Sequence, residues 1–168
     1  MVENICNTRM EVMERELIIK FGKDSKLNGI EVGVLRGEVD LYLLNKFPNL
    51  TMTGIDPAPV LSFIVPTLLN ELETGRFHIV IDKSDNAIQR LKREYDFAFI
   101  DGDHDYEQIR RDILNYWQII KPNGILFGHN IDDDVPGIAH PGVRKAVYEI
   151  FSGRQVYRDN DVMWWVHV

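Results

Sequence analysis

A chain of 168 residues, 45% of them hydrophobic, has the length of one domain that buries roughly 70% of its unfolded surface. Its 26 acidic against 19 basic side chains leave a net charge of -7, which repels polyphosphate backbones and excludes nucleic acid as the expected main partner. A single cysteine, Cys6, excludes an internal disulfide and a cysteine-based zinc site, and no apolar run approaches the roughly 18 residues of a membrane span. A cytoplasmic setting without membrane contact is therefore expected, and the mixed charges of the first 22 residues lack the apolar stretch of a secretory signal.

An amphipathic helix is predicted over 8–21, within an N-terminal helical segment 1–27 that leads into one domain spanning 1–168. "NGIEVGV" (28–34) predicts a first strand and "GEVDLYLLNKF" (37–47) a helix stopped by Pro48. Strands follow at 50–57, 76–82, 95–101 and 124–130, each trailed by a helix, at 59–74 with a kink at Pro66, 84–94, 105–120 and 141–153. Ser84 or Asp85 is the natural N-cap of the 84–94 helix. Repeated strand-loop-helix units imply a parallel sheet with helices on both faces and right-handed crossovers. The end departs from that rhythm, because 154–159 and 161–168 are two strands too close for a crossover and must pair antiparallel. The expected architecture is α/β and Rossmann-like, a seven-stranded, mostly parallel sheet whose last strand is antiparallel.

Ligands of such sheets bind where strands end. After strand one, "IEVGVLRGE" places Gly33 and Gly37 where backbone N–H groups can approach a ligand, with Glu31 at the mouth to attract an ammonium or sulfonium. The loop reads G-x-x-x-G, not the G-x-G-x-x-G of dinucleotide sites, which counts against an NAD-type oxidoreductase. Asp56 closes strand two, where a carboxylate accepts the two hydroxyls of a ribose, or else makes a plain Asp-Pro turn. "FIDGDHDYE" then gathers Asp101, Asp103, His104 and Asp105 at the end of strand four, and "GILFGHN" ends strand five in His129 and Asn130.

Together "IEVGVLRGE", "GIDP", "DKS", "YDFAFIDGDHDYEQIRRDI", "IKPNGILFGHN" and "PGVRKAVYE" resemble small class I S-adenosylmethionine-dependent methyltransferases of the "IDGDH" type, near the macrocin-type sugar O-methyltransferases and more distantly the catechol and caffeoyl-CoA enzymes. The resemblance runs from about residue 28 to 150 and implies methyl transfer from S-adenosylmethionine to a small-molecule acceptor, with O-methylation expected. It also implies cofactor contacts from Glu31, Gly33, Val34 and Gly37 to the methionine part, Asp56 to the ribose and Lys83, Ser84 and Asp85 to the adenine edge, with Asp101 beside them. In metal-bearing relatives an acid after strand four and an Asp-Asn pair after strand five hold a divalent ion. Here Asp101, His129 and Asn130 stand at those places, so Mg²⁺ is expected with one ligand charge fewer. Deprotonation of the acceptor falls to His104 or His129, with a cap of the 105–120 helix as the structural alternative for His104. Asp103 and Asp105 are expected as cap and solvent residues, one of Trp164 and Trp165 as core and the other as a face cover, and 132–137 as a rim of the cleft. A protein that binds the nucleoside without turnover is the non-enzymatic alternative. A homodimer, whose neighbouring N-terminal helix completes the cleft, is a further expectation.

Overall fold

The computed structural model describes residues 2–92, 94–131, 141–159 and 163–168. Five strands, β1 (Leu27–Val32), β2 (Leu50–Ile55), β3 (Phe77–Val80), β4 (Tyr95–Ile100) and β5 (Ile120–Gly128), pair in parallel. β7 (Trp164–His167) lies antiparallel beside β5, and β6 (Tyr157–Arg158) pairs antiparallel with β7 on the outside. The seven-stranded order is β3-β2-β1-β4-β5-β7-β6. Order reverses between β1 and β4, which opens a crevice at their carboxyl ends.

The strands alternate their load between two cores, as the two-residue period of a strand requires. Phe97 and Phe99 of β4 join Phe127 and Trp165 on one face with Met13, Leu17, Leu43 and Phe47. Ala98, Ile100, Leu126 and Trp164 point to the other, against Ile113, Tyr116, Ala146 and Val147. Both tryptophans are thus core, 0% and 5% exposed, because β6 and the N-terminal helix cover the face where one was expected near solvent.

The first face carries α1 (Val2–Phe21), α2 (Glu38–Lys46) and the pair α3 (Leu61–Thr67) and α4 (Leu69–Glu73), which part at Leu68, two residues beyond Pro66. Met10, Met13 and Leu17 fix α1, while Glu14 accepts the Tyr42 hydroxyl and Lys20 meets His167. The second face carries α6 (Tyr106–Trp117) and α7 (Pro141–Ile150), with α5 (Ser84–Ala87) and a 3-10 turn, Ile88–Arg90, leading in.

Two expected boundaries move. The 84–94 helix shrinks to one turn with Lys83 at its N-cap position, so neither Ser84 nor Asp85 caps it; Asp82 instead accepts the Lys83 N–H and the Asn86 amide. β5 begins at Ile120, the expected end of the 105–120 helix, because that buried side chain pairs with Tyr95 and a register shift absorbs the residues up to Gly124. Among the described residues no helix is long and apolar enough to cross a membrane.

Candidate active site

Four residues that each follow a strand stand in a row along the carboxyl edge. Asp56 N–H bonds Val80 O, Gly33 N–H bonds Ile55 O, Asp101 N–H bonds Val32 O and His129 N–H bonds Ile100 O, so each donates to the last residue of its neighbouring strand. The ladder is extended by one rung after β2, β1, β4 and β5, and that rung holds three of the candidate side chains, Asp56, Asp101 and His129. Gly33 has φ +94, and a Cβ there would lie 2.3 Å from the Asp101 carbonyl oxygen. Glycine is required where the β1 loop crosses the end of β4.

Two adjoining cavities meet at this row. The larger, of about 470 Å³, is lined by Gly33, Leu35, Asp56, Lys83, Ser84, Asp85, Asp101, Gln108 and Asp112 among others. Asp56 accepts the N–H groups of Leu35 at 2.9 Å and Ala58 at 2.8 Å, so the expected Asp-Pro turn is real and also braces the glycine loop. Ser84 is anchored twice, since Gln108 donates to its hydroxyl at 3.1 Å and the buried Tyr116 hydroxyl donates to its carbonyl at 3.0 Å. Gln108 also donates to Asp112 at 3.1 Å. Burial pushes the Asp112 carboxyl up to about 6, against the pull of its hydrogen bonds from Ser84 and Gln108. Asp112 follows Ile109 and precedes Ile113 and Tyr116 on the buried face of α6, an acid on an apolar stripe.

The second cavity, of about 310 Å³, is lined by Arg9, Glu31, Val34, Arg36, Asp101, His104, His129 and Asn130 among others. Asp101 is its hub. Arg9 Nη1 donates to Oδ2 at 2.7 Å, His129 Nδ1 lies 3.2 Å from Oδ1, and His104 Nε2 lies 3.8 Å from the same oxygen. Burial opposes ionisation of Asp101, yet the hydrogen bonds from His104 and His129 and the charges of His129 and Arg9 outweigh it and hold the carboxyl below its ordinary range. His129 Nε2 is buried without a hydrogen-bond partner among the described residues.

Glu31 is not an open anion at the mouth. It is 2% exposed and faces Asp40, which is 0% exposed, across the floor of this cavity. Burial first, then the Asp40 and Asp101 charges, raise the Glu31 carboxyl well above its ordinary range; burial also pushes Asp40 up to about 6. No donor from another described residue reaches Glu31 Oε2 or either Asp40 oxygen, so the two buried carboxyls oppose each other's ionisation. Asp40 shares the buried face of α2 with Val39, Leu43 and Leu44, the same pattern that conceals Asp112 in α6.

The other expected roles sort out simply. Asp103 accepts the Asp105 N–H at 2.9 Å and shapes the turn, whereas Asp105 occupies the N-cap of α6 without a side-chain cap bond. His104 does not cap α6; its Nε2 faces Asp101. Gly37, φ +75, starts α2. The 132–137 rim lies outside the described residues. For a divalent ion the donors expected at Asp101, His129 and Asn130 do not fit: a guanidinium sits on one carboxylate oxygen and an imidazole nitrogen on the other. Among the described residues no group of three or more His, Cys, Asp or Glu side chains is placed to hold a metal ion.

Strand order, glycine loop and the acid after β2 define a class I methyltransferase. The chain belongs to the family described as Methyltransferase domain, whose match covers residues 30–131, and it is an S-adenosylmethionine-dependent enzyme of that class. Among solved structures it is similar to an O-methyltransferase from Bacillus cereus in complex with S-adenosylhomocysteine, at 14% identity and a TM-score of 0.72 over 96% of this chain and 81% of that one. The O-methyltransferase TomG from Streptomyces achromogenes, bound to S-adenosylmethionine, aligns at 15% identity and a TM-score of 0.66 over 96% and 80% of the two chains. MycE from the mycinamycin pathway, in complex with Mg and S-adenosylhomocysteine, aligns at 14% identity and a TM-score of 0.64 over 94% of this chain and 48% of its own. A tRNA (guanine-N(7)-)-methyltransferase from Mycoplasmopsis pulmonis is 23% identical over 144 residues, 79% of this chain and 71% of the relative.

Proposed function

We propose that the enzyme methylates an oxygen of a small-molecule acceptor, with His129 as the general base. The observation that carries this reading is the Asp101–His129 contact at 3.2 Å, which leaves the buried Nε2 of His129 on the cavity beside the nucleoside cleft. S-adenosylmethionine supplies an electrophilic methyl group on a sulfonium, whose sulfur leaves as a neutral thioether. Asp56 accepts the ribose hydroxyls, Lys83, Ser84 and Asp85 frame the adenine edge, and the loop from Gly33 through Val34 to Gly37 cradles the methionine part. Gly33 and Asp101 line both cavities, so the two reactants meet there. Asp101 holds the Nδ1–H of His129, Nε2 takes the acceptor hydroxyl proton, and the same carboxylate stabilises the imidazolium that results. His104 shares Asp101 through its Nε2 and serves as a second, orienting imidazole rather than the base.

The tRNA methyltransferase relative favours a second reading, methylation of a tRNA guanine. The net charge of -7 works against it, because a polyanionic acceptor would be repelled. Mass spectrometry of the nucleoside retained through purification, followed by an acceptor screen that reports S-adenosylhomocysteine, separates small hydroxylated molecules from tRNA. Retained S-adenosylmethionine with no turnover of either class would leave a binding protein. His129→Ala is expected to lower turnover roughly 10²–10⁴-fold with cofactor affinity kept; an equal loss in His104→Ala with His129→Ala active would move the base to His104.

A further inference from the structure

Asp101 carries a positive partner from 92 positions earlier in the chain, and that partner belongs to no loop of the cleft. Arg9 projects from α1, whose neighbouring Met10 and Met13 are buried in the core, so the helix holds the guanidinium in place. The Arg9 and Asp101 side chains are only 18% and 13% exposed, and both line the 310 Å³ cavity with His129 and Asn130. We infer that Arg9 is the fixed cation of the acceptor site: its guanidinium occupies the place on Asp101 that a divalent ion would need and bears on the acceptor oxygen, so methyl transfer proceeds without a bound metal.

Three features point the same way. The 2.7 Å bond to Oδ2 is a charge-assisted contact of ordinary strength, and a second cation on that oxygen would meet a guanidinium that cannot lose its proton. His129 replaces an acid with a base, which removes the charge that would repay desolvation of a hard ion. Of the other acids of the cavity wall, Glu31 and Glu38, Glu31 is buried against Asp40, and burial first and then Asp40 raise its carboxyl well above its ordinary range. A guanidinium N–H directed at the acceptor oxygen would stabilise negative charge as the proton leaves for His129. The oxygen-carbon bond then forms as the carbon-sulfur bond breaks toward sulfur, and no bond to Arg9 is made or broken.

This inference rests on the methyl-transfer reading for its kinetic half only. In the first arm, Mn²⁺ is titrated into the wild-type protein to about 1 mM, the weak end of oxygen-ligand cation sites, while the imidazole resonances of His104 and His129 are followed. No saturable broadening is expected; saturable broadening of either ring overturns the inference. The second arm uses 3,4-dihydroxybenzoate as the acceptor probe. Excess EDTA should leave the wild-type rate unchanged, and Arg9→Met, which keeps the apolar stem, should lower kcat roughly 10²-fold, the scale of losing one preorganised donor. Affinity for S-adenosylhomocysteine, read by calorimetry, should stay within about twofold, and Arg9→Lys should recover part of kcat, since it restores a charge without the planar fork. Wild-type kcat in Arg9→Met, or loss of turnover in EDTA, overturns the inference. If the probe is not methylated although S-adenosylhomocysteine binds, the methyl-transfer reading is what has failed for this acceptor, and the Mn²⁺ arm alone decides the claim about Arg9.

Discussion

The two halves of the cleft are built on opposite plans. The nucleoside half is assembled from short stretches, each close in sequence to a strand end, and its polar groups brace one another: Asp56 on Leu35 and Ala58, Gln108 on Ser84 and Asp112. The acceptor half is assembled from α1, β1, α2, β4 and β5, and its central contact spans 92 residues. Each half rests on one buried acid of an apolar helix face, Asp112 or Asp40, and burial pushes both up to about 6. Asp112 is solvated by protein amides and hydroxyls, whereas Asp40 has only another carboxyl for company. The first half is therefore a preformed polar receptor. The second is a floor in which Arg9 offsets Asp101 while two buried carboxyls, Glu31 and Asp40, oppose each other's ionisation.

Gly33 is the hinge that both halves share, and its replacement is the severest break. Gly33→Val would place branched carbon where the Cβ alone meets the Asp101 carbonyl at 2.3 Å, at a φ of +94 that β-branched residues avoid. Loss of measurable S-adenosylhomocysteine binding in calorimetry is expected, with a lowered Tm; native affinity in the variant would mean that the two halves are not joined there. A smaller effect sharpens the contrast between the two acids. A raised carboxyl pKa means that the folded protein keeps a proton which the unfolded chain releases, so the stability from Asp112 is full below about pH 4 and is lost as pH rises through about 6. One pH unit is worth about 1.4 kcal/mol, so that window carries up to about 3 kcal/mol. Asp112→Asn cannot ionise and keeps an oxygen for Gln108; it should match wild type at pH 4 and exceed it by up to about 3 kcal/mol at pH 7 in urea unfolding. Parallel pH curves for the two proteins would show that Asp112 is not strained by its charge.

This contrast also explains what the amino-acid sequence discloses. The strand ends, the glycine loop, Asp56 and the Asp101 cluster are local patterns, so the row along the strand ends and the mostly parallel sheet with its antiparallel end can be read from the chain. Arg9 cannot, because nothing near it in sequence marks an arginine that meets residue 101. Asp40 and Asp112 left a trace that was available: each falls three or four positions from leucine, isoleucine or tyrosine on the buried side of its helix. The choice of His129 over His104 required geometry, since both lie one or more residues beyond a strand and only distances show which nitrogen each turns toward Asp101. Lys83 rather than Ser84 at the N-cap position reflects the Asp82 carboxylate, which had already satisfied the start of that turn.

The smallest expected effect tests whether the nucleoside half is as preformed as its internal bonds suggest. Each Asp56 oxygen already accepts one backbone N–H, from Leu35 and from Ala58, and each retains capacity for a ribose hydroxyl. Asp56→Ala removes both kinds of bond, so loop disorder and lost ribose contact would be confounded. Asp56→Asn keeps one oxygen for the loop and replaces the other by an amide that donates where the ribose also donates. If the carboxylate contacts the ribose, Asp56→Asn should weaken S-adenosylhomocysteine binding by about 1.5 kcal/mol, roughly tenfold, and, since it keeps one of the two loop bonds, should lower Tm of the free protein less than Asp56→Ala. Asp56→Ala should lower Tm as well, because Leu35, held at φ +49, loses the acceptor that fixes its exposed loop. A comparable affinity loss in both variants with Tm falling further in Asp56→Ala assigns the carboxylate to ligand and loop together; unchanged affinity in Asp56→Asn would reduce it to a brace for the glycine loop.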